Sequence, residues 1–266
     1  MTPRALSVHF LPLLVAPDRL AGAAVVVIDV LRASTTICHA LAAGAKAVVP
    51  CLEIDDALSA AASFPRDEIV LGGERGGLSI DGFDLGNSPA EYTPASVGDK
   101  TVIFTTTNGT AALQHARRAN RICIGAFVNA AAVVRKLRIE DEVHFLCAGT
   151  RGEITREDVL LAGRLAQGLL DVWLGSVYES SSATAPSREI TLNDEASLAL
   201  AAWHDAKTDG PALPEQLLRS KGGRNLARIG LAKDIDDAAQ LDRFDFAPTF
   251  DPATGRISPS SASGAA

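Results

Sequence analysis

Short apolar runs alternate along this chain with segments whose apolar residues recur at helical spacing. The first run, residues 25–28, is a stretch of consecutive β-branched side chains, typical of a strand covered on both faces of a parallel sheet. The pattern predicts further strands at 47–49, 69–71, 101–105, 121–124 and 143–147, and helices at 34–43, 54–63, 108–119, 129–137 and 155–170. This alternation predicts an α/β layered fold with a largely parallel central sheet flanked by helices.

The pattern changes after Gly175. Residues 176–187 are rich in serine and predict a loop. Helices are expected at 192–206, 214–220 and 226–239, the last two separated by a turn at 221–225. We therefore expect one α/β domain over residues 4–248, in which the part from about residue 176 is a candidate second lobe. Residues 249–266, which end in serine and alanine, predict a flexible tail.

Charge and composition narrow the classes of partner. The 266 residues include 25 Lys+Arg and 32 Asp+Glu, a net charge of −7, which argues against a nucleic-acid-binding protein. An anionic ligand would have to be held by local arginines. No run approaches the ~20 apolar residues of a membrane helix, and the four cysteines show no paired spacing. We expect a cytoplasmic protein with buried free thiols and no membrane or nucleic-acid partner; a homodimer is one option.

Polar residues follow four of the predicted strands. Asp29 and Arg32 come after the first, and Glu74 and Arg75 come after the strand at 69–71. Residues 105–110 and 149–153 follow two others with hydroxyl, amide and charged side chains. In open α/β sheets ligands bind beyond the carboxyl ends of the strands, so these motifs predict the position of an active site.

The segment 72–89 holds six glycines, three acids and one arginine. A fold keeps glycine at this density where the backbone turns sharply or approaches a ligand, and a long loop of this chemistry is usually functional. A solvated surface loop with its charges in water is the alternative.

The residue types suit a phosphate ester. Ser34, Thr35, Asn108 and Thr110 lie at the starts of two predicted helices, where free N–H groups and hydroxyls bind anions. Helix capping alone would also explain them. Arginines can grip an oxyanion with two hydrogen bonds, and the acids Asp29, Glu74 and Asp84 can hold Mg²⁺.

Familiar phosphate motifs are absent from the sequence. There is no G-x-x-x-x-G-K-[ST] loop, and no second aspartate stands two residues after Asp29. Cys147 precedes Arg151 by four residues, the wrong spacing for a cysteine phosphatase loop, so a core thiol is expected.

Several motifs in one order nevertheless resemble the 2-phosphosulfolactate phosphatase family. They are DVLRASTT at 29–36, GERGG at 73–77, GFDLGNSP at 82–89, TTTNGT at 105–110, CAG at 147–149 with Glu157 and Asp158, and the stretch 220–237. The resemblance implies a family-specific α/β topology and Mg²⁺-dependent hydrolysis of 2-phosphosulfolactate to 3-sulfolactate and phosphate, a step of coenzyme M biosynthesis. Leu78 and Ala111 stand where a basic residue is common in that family.

From the residues and the resemblance together we expect a catalytic group, a substrate-binding group and a metal pair. The catalytic group is Asp29, Arg32, Glu74, Asp84 and Asp158; the substrate-binding group is Ser34, Thr35, Arg75, Asn87, Thr107, Asn108 and Thr110; the metal pair is Asp29 and Glu74, holding Mg²⁺. Arg75 and the loop 76–87 are expected to close over the sulfonate and carboxylate end of a small anionic phosphorylated substrate. A non-catalytic protein that binds small anionic metabolites is the alternative, because a shared scaffold does not fix activity.

Overall fold

An eleven-stranded sheet runs through the computed structural model, which describes residues 3–179 and 189–260. The strands are β1 (Arg4–His9), β2 (Ala24–Ile28), β3 (Ala47–Cys51), β4 (Ile69–Arg75), β5 (Leu78–Ser79), β6 (Thr101–Thr105), β7 (Arg121–Gly125), β8 (Glu142–Cys147), β9 (Ile190–Leu192), β10 (Ala247–Asp251) and β11 (Arg256–Ser260). Their order across the sheet is β5-β4-β6-β3-β11-β10-β7-β2-β8-β1-β9.

Helices cover this sheet. They are α1 (Ala33–Ala42), α2 (Ile54–Ala61), α3 (Pro94–Val97), α4 (Gly109–His115), α5 (Ala130–Leu137), α6 (Arg156–Glu179), α7 (Asp194–Thr208), α8 (Leu213–Leu218), α9 (Lys221–Arg228) and α10 (Lys233–Ala238). The prediction of an α/β fold with a largely parallel sheet flanked by helices is confirmed. None of the described helices has the length and apolar character needed to cross a bilayer.

Pairing divides the sheet into two parallel blocks. One block is β4-β6-β3, and the other is β7-β2-β8-β1-β9. The hairpin β10–β11 lies between them and pairs antiparallel with β7 on one side and β3 on the other. Through this ladder the two blocks run in opposite senses.

The packing of strand β2 explains why its residues are all apolar. Val26 and Ile28 face a core cluster that includes Phe145 and Trp173 and is covered by α5, α6 and α7. Val25 and Val27 face a second cluster, which contains residues of α1 and α4 together with Val102 and Phe104 of β6. Both faces of β2 are therefore buried, and the second cluster joins the two blocks into one core.

The prediction of a flexible tail from residue 249 is wrong up to Ser260, because residues 247–260 form the central hairpin. Pro248 and Pro259, which cannot donate to a ladder, both lie in this hairpin. The two prolines lie opposite each other in the hairpin, and the pairing with β7 and β3 is confined to Thr249, Phe250 and Ile257. Residues 261–266 lie outside the described residues.

Several boundaries in the second half also differ from prediction. The turn expected at 221–225 is part of helix α9, and helix α6 continues to Glu179, into the segment expected to be a loop. Residues 180–187 of that loop lie outside the described residues. The described chain beyond residue 189 adds β9 to the edge of the same sheet, beside β1.

Candidate active site

A cavity of about 260 Å³ collects residues that follow four strands of the two blocks. Asp29, Leu31 and Arg32 come after β2, and Glu74, Gly76 and Gly77 come from the end of β4 and the turn beyond it; Thr107 and Asn108 follow β6, and Thr150, Arg151 and Glu153 follow β8. Helix α9 contributes Lys221, Gly222, Asn225, Leu226 and Arg228, and Asn87 completes the lining. The four motifs singled out in the sequence thus meet at one place.

Asp29 is held by the turn between β2 and α1. Its backbone N–H donates to Ser34 Oγ at 2.9 Å, and its carbonyl oxygen accepts from the Ser34 N–H at 2.9 Å. The residue is 7% exposed. Burial raises the pKa of the Asp29 carboxyl well above its usual range, and the charges of Asp158 and Glu74 raise it further. The site therefore concentrates negative charge that a bound cation would relieve.

Glu74 joins the glycine turn to the end of β6. Its Oε1 accepts from the Thr107 N–H at 2.7 Å, and its Oε2 accepts from the Gly77 N–H at 2.6 Å. Gly73, one residue earlier, has φ +141°, and a Cβ there would overlap the Thr105 carbonyl oxygen. The chain needs glycine at this point so that β4 can pass close to β6 and deliver Glu74 to the cavity.

Arg32 is committed to a buried ion pair. Its Nη1 donates to Asp234 Oδ2 at 2.7 Å, and its Nη2 donates to the Gly77 carbonyl oxygen at 2.7 Å. Asp234 also accepts from Ser88 Oγ at 2.5 Å, and both charged side chains are almost fully buried. Arg32 therefore ties α10 and the glycine turn to the start of α1, and its charge is largely balanced by Asp234.

Three further cations line the cavity, none of them among the catalytic, substrate-binding or metal residues expected from the sequence. Lys221 forms an ion pair with Glu153 at 2.6 Å. Arg228 donates to Asn225 Oδ1 at 2.7 Å. The Arg151 N–H donates to Asn108 Oδ1 at 3.0 Å, and its guanidinium lies beside Gly76. With Arg32, they give the cavity four cationic side chains, which suits an anionic ligand.

A second carboxylate pair lies behind the wall of the cavity. Asp158 accepts from the N–H groups of Val30 at 2.9 Å and Gly149 at 3.0 Å, and burial raises its pKa to about 6. Burial, followed by the charge of Asp158, raises the pKa of Glu157 to about 7. A Cβ on Gly222 would overlap Glu157 Oε1, so α9 packs directly against this side chain. Asp158 joins the strand ends of β2 and β8, and its side chain does not reach the cavity.

The hydroxyls of Ser34, Thr35 and Thr110 do not line this cavity either. Ser34 Oγ accepts from the Asp29 N–H, while Thr35 and Thr110 each donate to a backbone carbonyl at 2.8 Å, from Val30 and Thr106 respectively. All three side chains are buried. Their contacts are those of local turns and helix starts, the alternative left open by the sequence.

Arg75 and Asp84 are also placed elsewhere. Arg75 donates to the carbonyl oxygens of Glu74 and Leu52 and to Thr105 Oγ1, at 2.8–2.9 Å. Asp84 pairs with Arg66 at 2.5 Å and accepts from the Leu71 N–H at 2.8 Å. Strand alternation explains Arg75, because its neighbour Glu74 points into the site. We therefore leave Arg75 and Asp84 out of the proposed site.

Comparison with known proteins gives the family. The model of the 2-phosphosulpholactate phosphatase family matches residues 10–252 of this chain. The chain belongs to this family. It is 40% identical over 234 residues to the probable 2-phosphosulfolactate phosphatase of Symbiobacterium thermophilum, covering 88% of this chain and 93% of that protein. Proteins of the same name from Parasynechococcus marenigrum and Deinococcus radiodurans are each 40% identical, covering 85% of this chain and 88% and 87% of their own lengths.

The resemblance to the 2-phosphosulfolactate phosphatase family noted in the sequence is therefore confirmed. The relatives carry the name of a phosphoric monoester hydrolase. Leu78 and Ala111, which stand where the resemblance leads us to expect a basic residue, are exposed and do not line the cavity. The cavity cations Arg151, Lys221 and Arg228 come from other positions.

The cavity positions of these cations could be predicted from the sequence only in part. Residues 221, 225 and 228 are spaced to lie on one face of a helix, but the glycines at 222 and 223 indicated a turn. Arg151 was noted among the polar residues after β8, without a role. The four cysteines are buried and free, and burial raises the pKa of the Cys147 thiol well above its usual range. Cys147 is thus a core thiol, as expected.

Proposed function

We propose that this protein hydrolyses the phosphate monoester of 2-phosphosulfolactate, or of a similar small 2-phospho acid, to the hydroxy acid and inorganic phosphate. Family membership and the name of the relatives support the reaction class. The observation that carries the proposal is the joint presence in one cavity of two buried carboxylates, Asp29 and Glu74, and four cationic side chains. A pocket that only bound anions would gain nothing from the two carboxylates.

We further propose that Mg²⁺ binds to Asp29 and Glu74. Mg²⁺ takes oxygen ligands and is often held by one or two carboxylates together with substrate phosphate. The described residues contain no group of three or more His, Cys, Asp or Glu side chains able to hold a metal ion, so a site here relies on this pair and on the ligand. Asn87 adds a buried Oδ1 with no hydrogen-bond partner among the described residues. The donor set therefore fits a magnesium ion.

Glu74 keeps capacity for a cation. Glu74 accepts one backbone N–H on each oxygen, which leaves lone pairs on both. These N–H groups also fix the direction in which Glu74 points. When bound, Mg²⁺ would neutralise charge on the transferred phosphoryl group, the main need in such reactions. Arg32 holds the glycine turn and Asp234 in place beside this centre.

The family resemblance also implies a place for the proposed reaction in metabolism. Hydrolysis of 2-phosphosulfolactate releases 3-sulfolactate, and we propose that this serves coenzyme M biosynthesis, as the family resemblance implies.

Phosphate release tests the proposed function. Parent protein is incubated with 2-phosphosulfolactate, with Mg²⁺ or with EDTA, and inorganic phosphate is measured. We expect turnover with Mg²⁺ and its loss in EDTA. Glu74→Gln and Asp29→Asn should each lower turnover by roughly 10²-fold or more, the scale of losing a main charge-stabilising group. Glu68→Gln, an exposed acid just before β4, is the matched control.

Two results would contradict parts of this proposal. Full activity in EDTA would remove the metal. Binding of 3-sulfolactate without hydrolysis of any 2-phospho acid would instead favour a non-catalytic metabolite-binding protein.

A further inference from the structure

We propose that Arg151 and Arg228 form a subsite for the acid groups that the substrate carries besides its phosphate, namely a carboxylate and a sulfonate. This inference rests on the proposed function and names the residues that would select the substrate.

The four cavity cations differ in their partners. Arg32 is paired with Asp234, and Lys221 is paired with Glu153. Within residues 3–179 and 189–260, neither Arg151 nor Arg228 forms an ion pair with a carboxylate. These two arginines therefore contribute most of the uncompensated positive charge that faces the cavity.

Both arginines line the cavity that contains Glu74 and the glycine turn. Arg151 Nη2 is 3.5 Å from the position that a Cβ would take on Gly76. Asn225 Nδ2 is 3.3 Å from the corresponding position on Gly77, and Arg228 donates to Asn225 Oδ1. A small ligand bound at Glu74 therefore shares the cavity with both cations.

The backbone at Arg151 is held in a defined shape. The residue has φ +53°, in the left-handed region that side chains other than glycine adopt infrequently. The turn around it is closed by hydrogen bonds between Thr150 and Glu153, at 2.9 and 3.1 Å, and by the bond from the Arg151 N–H to Asn108. The backbone from which the Arg151 side chain extends is therefore held against the segment that follows β6.

Chemistry separates the two ends of the substrate. A phosphate near Asp29 and Glu74 meets carboxylates and an arginine already neutralised by Asp234, so it needs the metal proposed above. A carboxylate or sulfonate needs only a donor of matching geometry, and guanidinium groups bind planar or trigonal oxyanion faces with two hydrogen bonds. Arg151 and Arg228 supply this chemistry without a metal.

Three phosphate esters that differ in the number of additional acid groups provide the test. The esters are 2-phosphosulfolactate, 2-phospholactate, which lacks the sulfonate, and isopropyl phosphate, which lacks both acid groups. The variants are Arg151→Gln, Arg228→Gln and the double variant. Arg224→Gln is the matched control, because Arg224 lies on the same helix but donates to the Arg219 carbonyl and does not line the cavity.

We expect each variant to lower kcat/KM for 2-phosphosulfolactate by about tenfold to a hundredfold, the loss typical of a hydrogen bond to a charged group. The loss on isopropyl phosphate should stay within about twofold, and Arg224→Gln should match the parent. A loss that persists on 2-phospholactate assigns the affected arginine to the carboxylate, and one that disappears assigns it to the sulfonate. Equal losses on all three esters, or no loss on any, would overturn the subsite.

Calorimetric binding of 3-sulfolactate separates this proposal from the proposed function. If the parent hydrolyses none of the esters, the phosphatase assignment fails. The subsite then stands if the parent binds 3-sulfolactate and the double variant binds it at least tenfold more weakly. It falls if both proteins bind equally or neither binds. Thermal unfolding of each variant, compared with Arg224→Gln, checks that the fold is unchanged.

Discussion

Arg32 lines the cavity, and its guanidinium is held by Asp234 and the Gly77 carbonyl oxygen. Removing one partner of a buried pair leaves an uncompensated charge, which costs about 3–5 kcal/mol. We therefore expect Asp234→Ala to lower the free energy of unfolding by this amount in urea titrations. Asp236→Ala, an exposed acid on the same helix, should change it by less than about 0.5 kcal/mol. Equal effects from both would show that the pair contributes little.

Arg32→Lys tests the same ion pair by changing its arginine. Lysine carries a single point charge and cannot reproduce the guanidinium fork that reaches both Asp234 and Gly77. We expect a loss of stability of roughly 1–3 kcal/mol, the cost of an unmade buried hydrogen bond. Urea unfolding measures it, and a variant as stable as the parent would show that one bond suffices.

Glu157 makes stability depend on pH. Its pKa in the folded protein is about 7, above the ordinary glutamate value, so the folded state binds its proton more tightly than the unfolded state. The stability linked to this proton is fully present below about pH 4.5 and is lost as pH rises through about 7. We expect Glu157→Gln to flatten the decline of the unfolding midpoint between pH 5 and 8. The buried neighbour Asp158 keeps part of the slope.

Thermal unfolding scans at several pH values measure how the pH dependence of stability differs between the parent and Glu157→Gln. This difference in the free energy of unfolding is on the order of 2–3 kcal/mol at most. Glu68→Gln, at an exposed position, is the control and should leave the slope of the parent unchanged. A Glu157→Gln variant whose pH dependence matches the parent would show that Glu157 stays ionised across this range.

At the scale of elements, α9 shows why the cavity could not be completed from the sequence. Lys221, Gly222, Gly223, Arg224 and Asn225 have the composition of a turn, because glycine weakens helices and asparagine favours turns. In the structure, Ser220 caps the helix by accepting from the Gly223 N–H at 3.0 Å. The two glycines allow the helix to approach Glu157 and the Leu217 carbonyl oxygen. Tertiary packing, which the sequence does not display, overrides the local preference.

Gly222→Ala tests this packing. The new Cβ would overlap Glu157 Oε1 and lie 3.2 Å from Leu31 Cβ, so α9 must shift away from the site. We expect destabilisation of about 1–3 kcal/mol, the usual cost of overpacking, together with weaker binding of substrate. Gly175→Ala in α6 is the matched control, because nothing lies within 4 Å of its Cβ position. That variant should be neutral or slightly stabilising in thermal unfolding.

At the scale of the whole molecule, the sequence predicts the parts of the sheet better than their arrangement. The runs that became β2, β3, β4, β6, β7 and β8 are long enough and apolar enough to be recognised. The short edge strands β5 and β9, the hairpin at 247–260 and β1, whose six residues mix apolar and polar side chains, are not. The strand-end rule places Asp29 and Glu74 together, but it assumes strands that run the same way. Here the two strands belong to blocks of opposite sense, and their meeting depends on the hairpin.

The hairpin β10–β11 should therefore be essential to the fold. It contributes the buried side chains Phe250 and Ile257, and its removal would leave β3 and β7 as unpaired edges in the middle of the sheet. We expect a chain ending at residue 248 to lose cooperative unfolding by circular dichroism. The free energy lost with the hairpin approaches the whole free energy of unfolding of a typical domain. A chain ending at Ser260 keeps every described strand and should unfold like the parent. Ile257→Ala, expected to cost about 2–5 kcal/mol, gives a measurable variant if the shorter chain is not obtained. A chain ending at residue 248 that unfolds cooperatively at the parent's midpoint would show that the two blocks hold together without the hairpin.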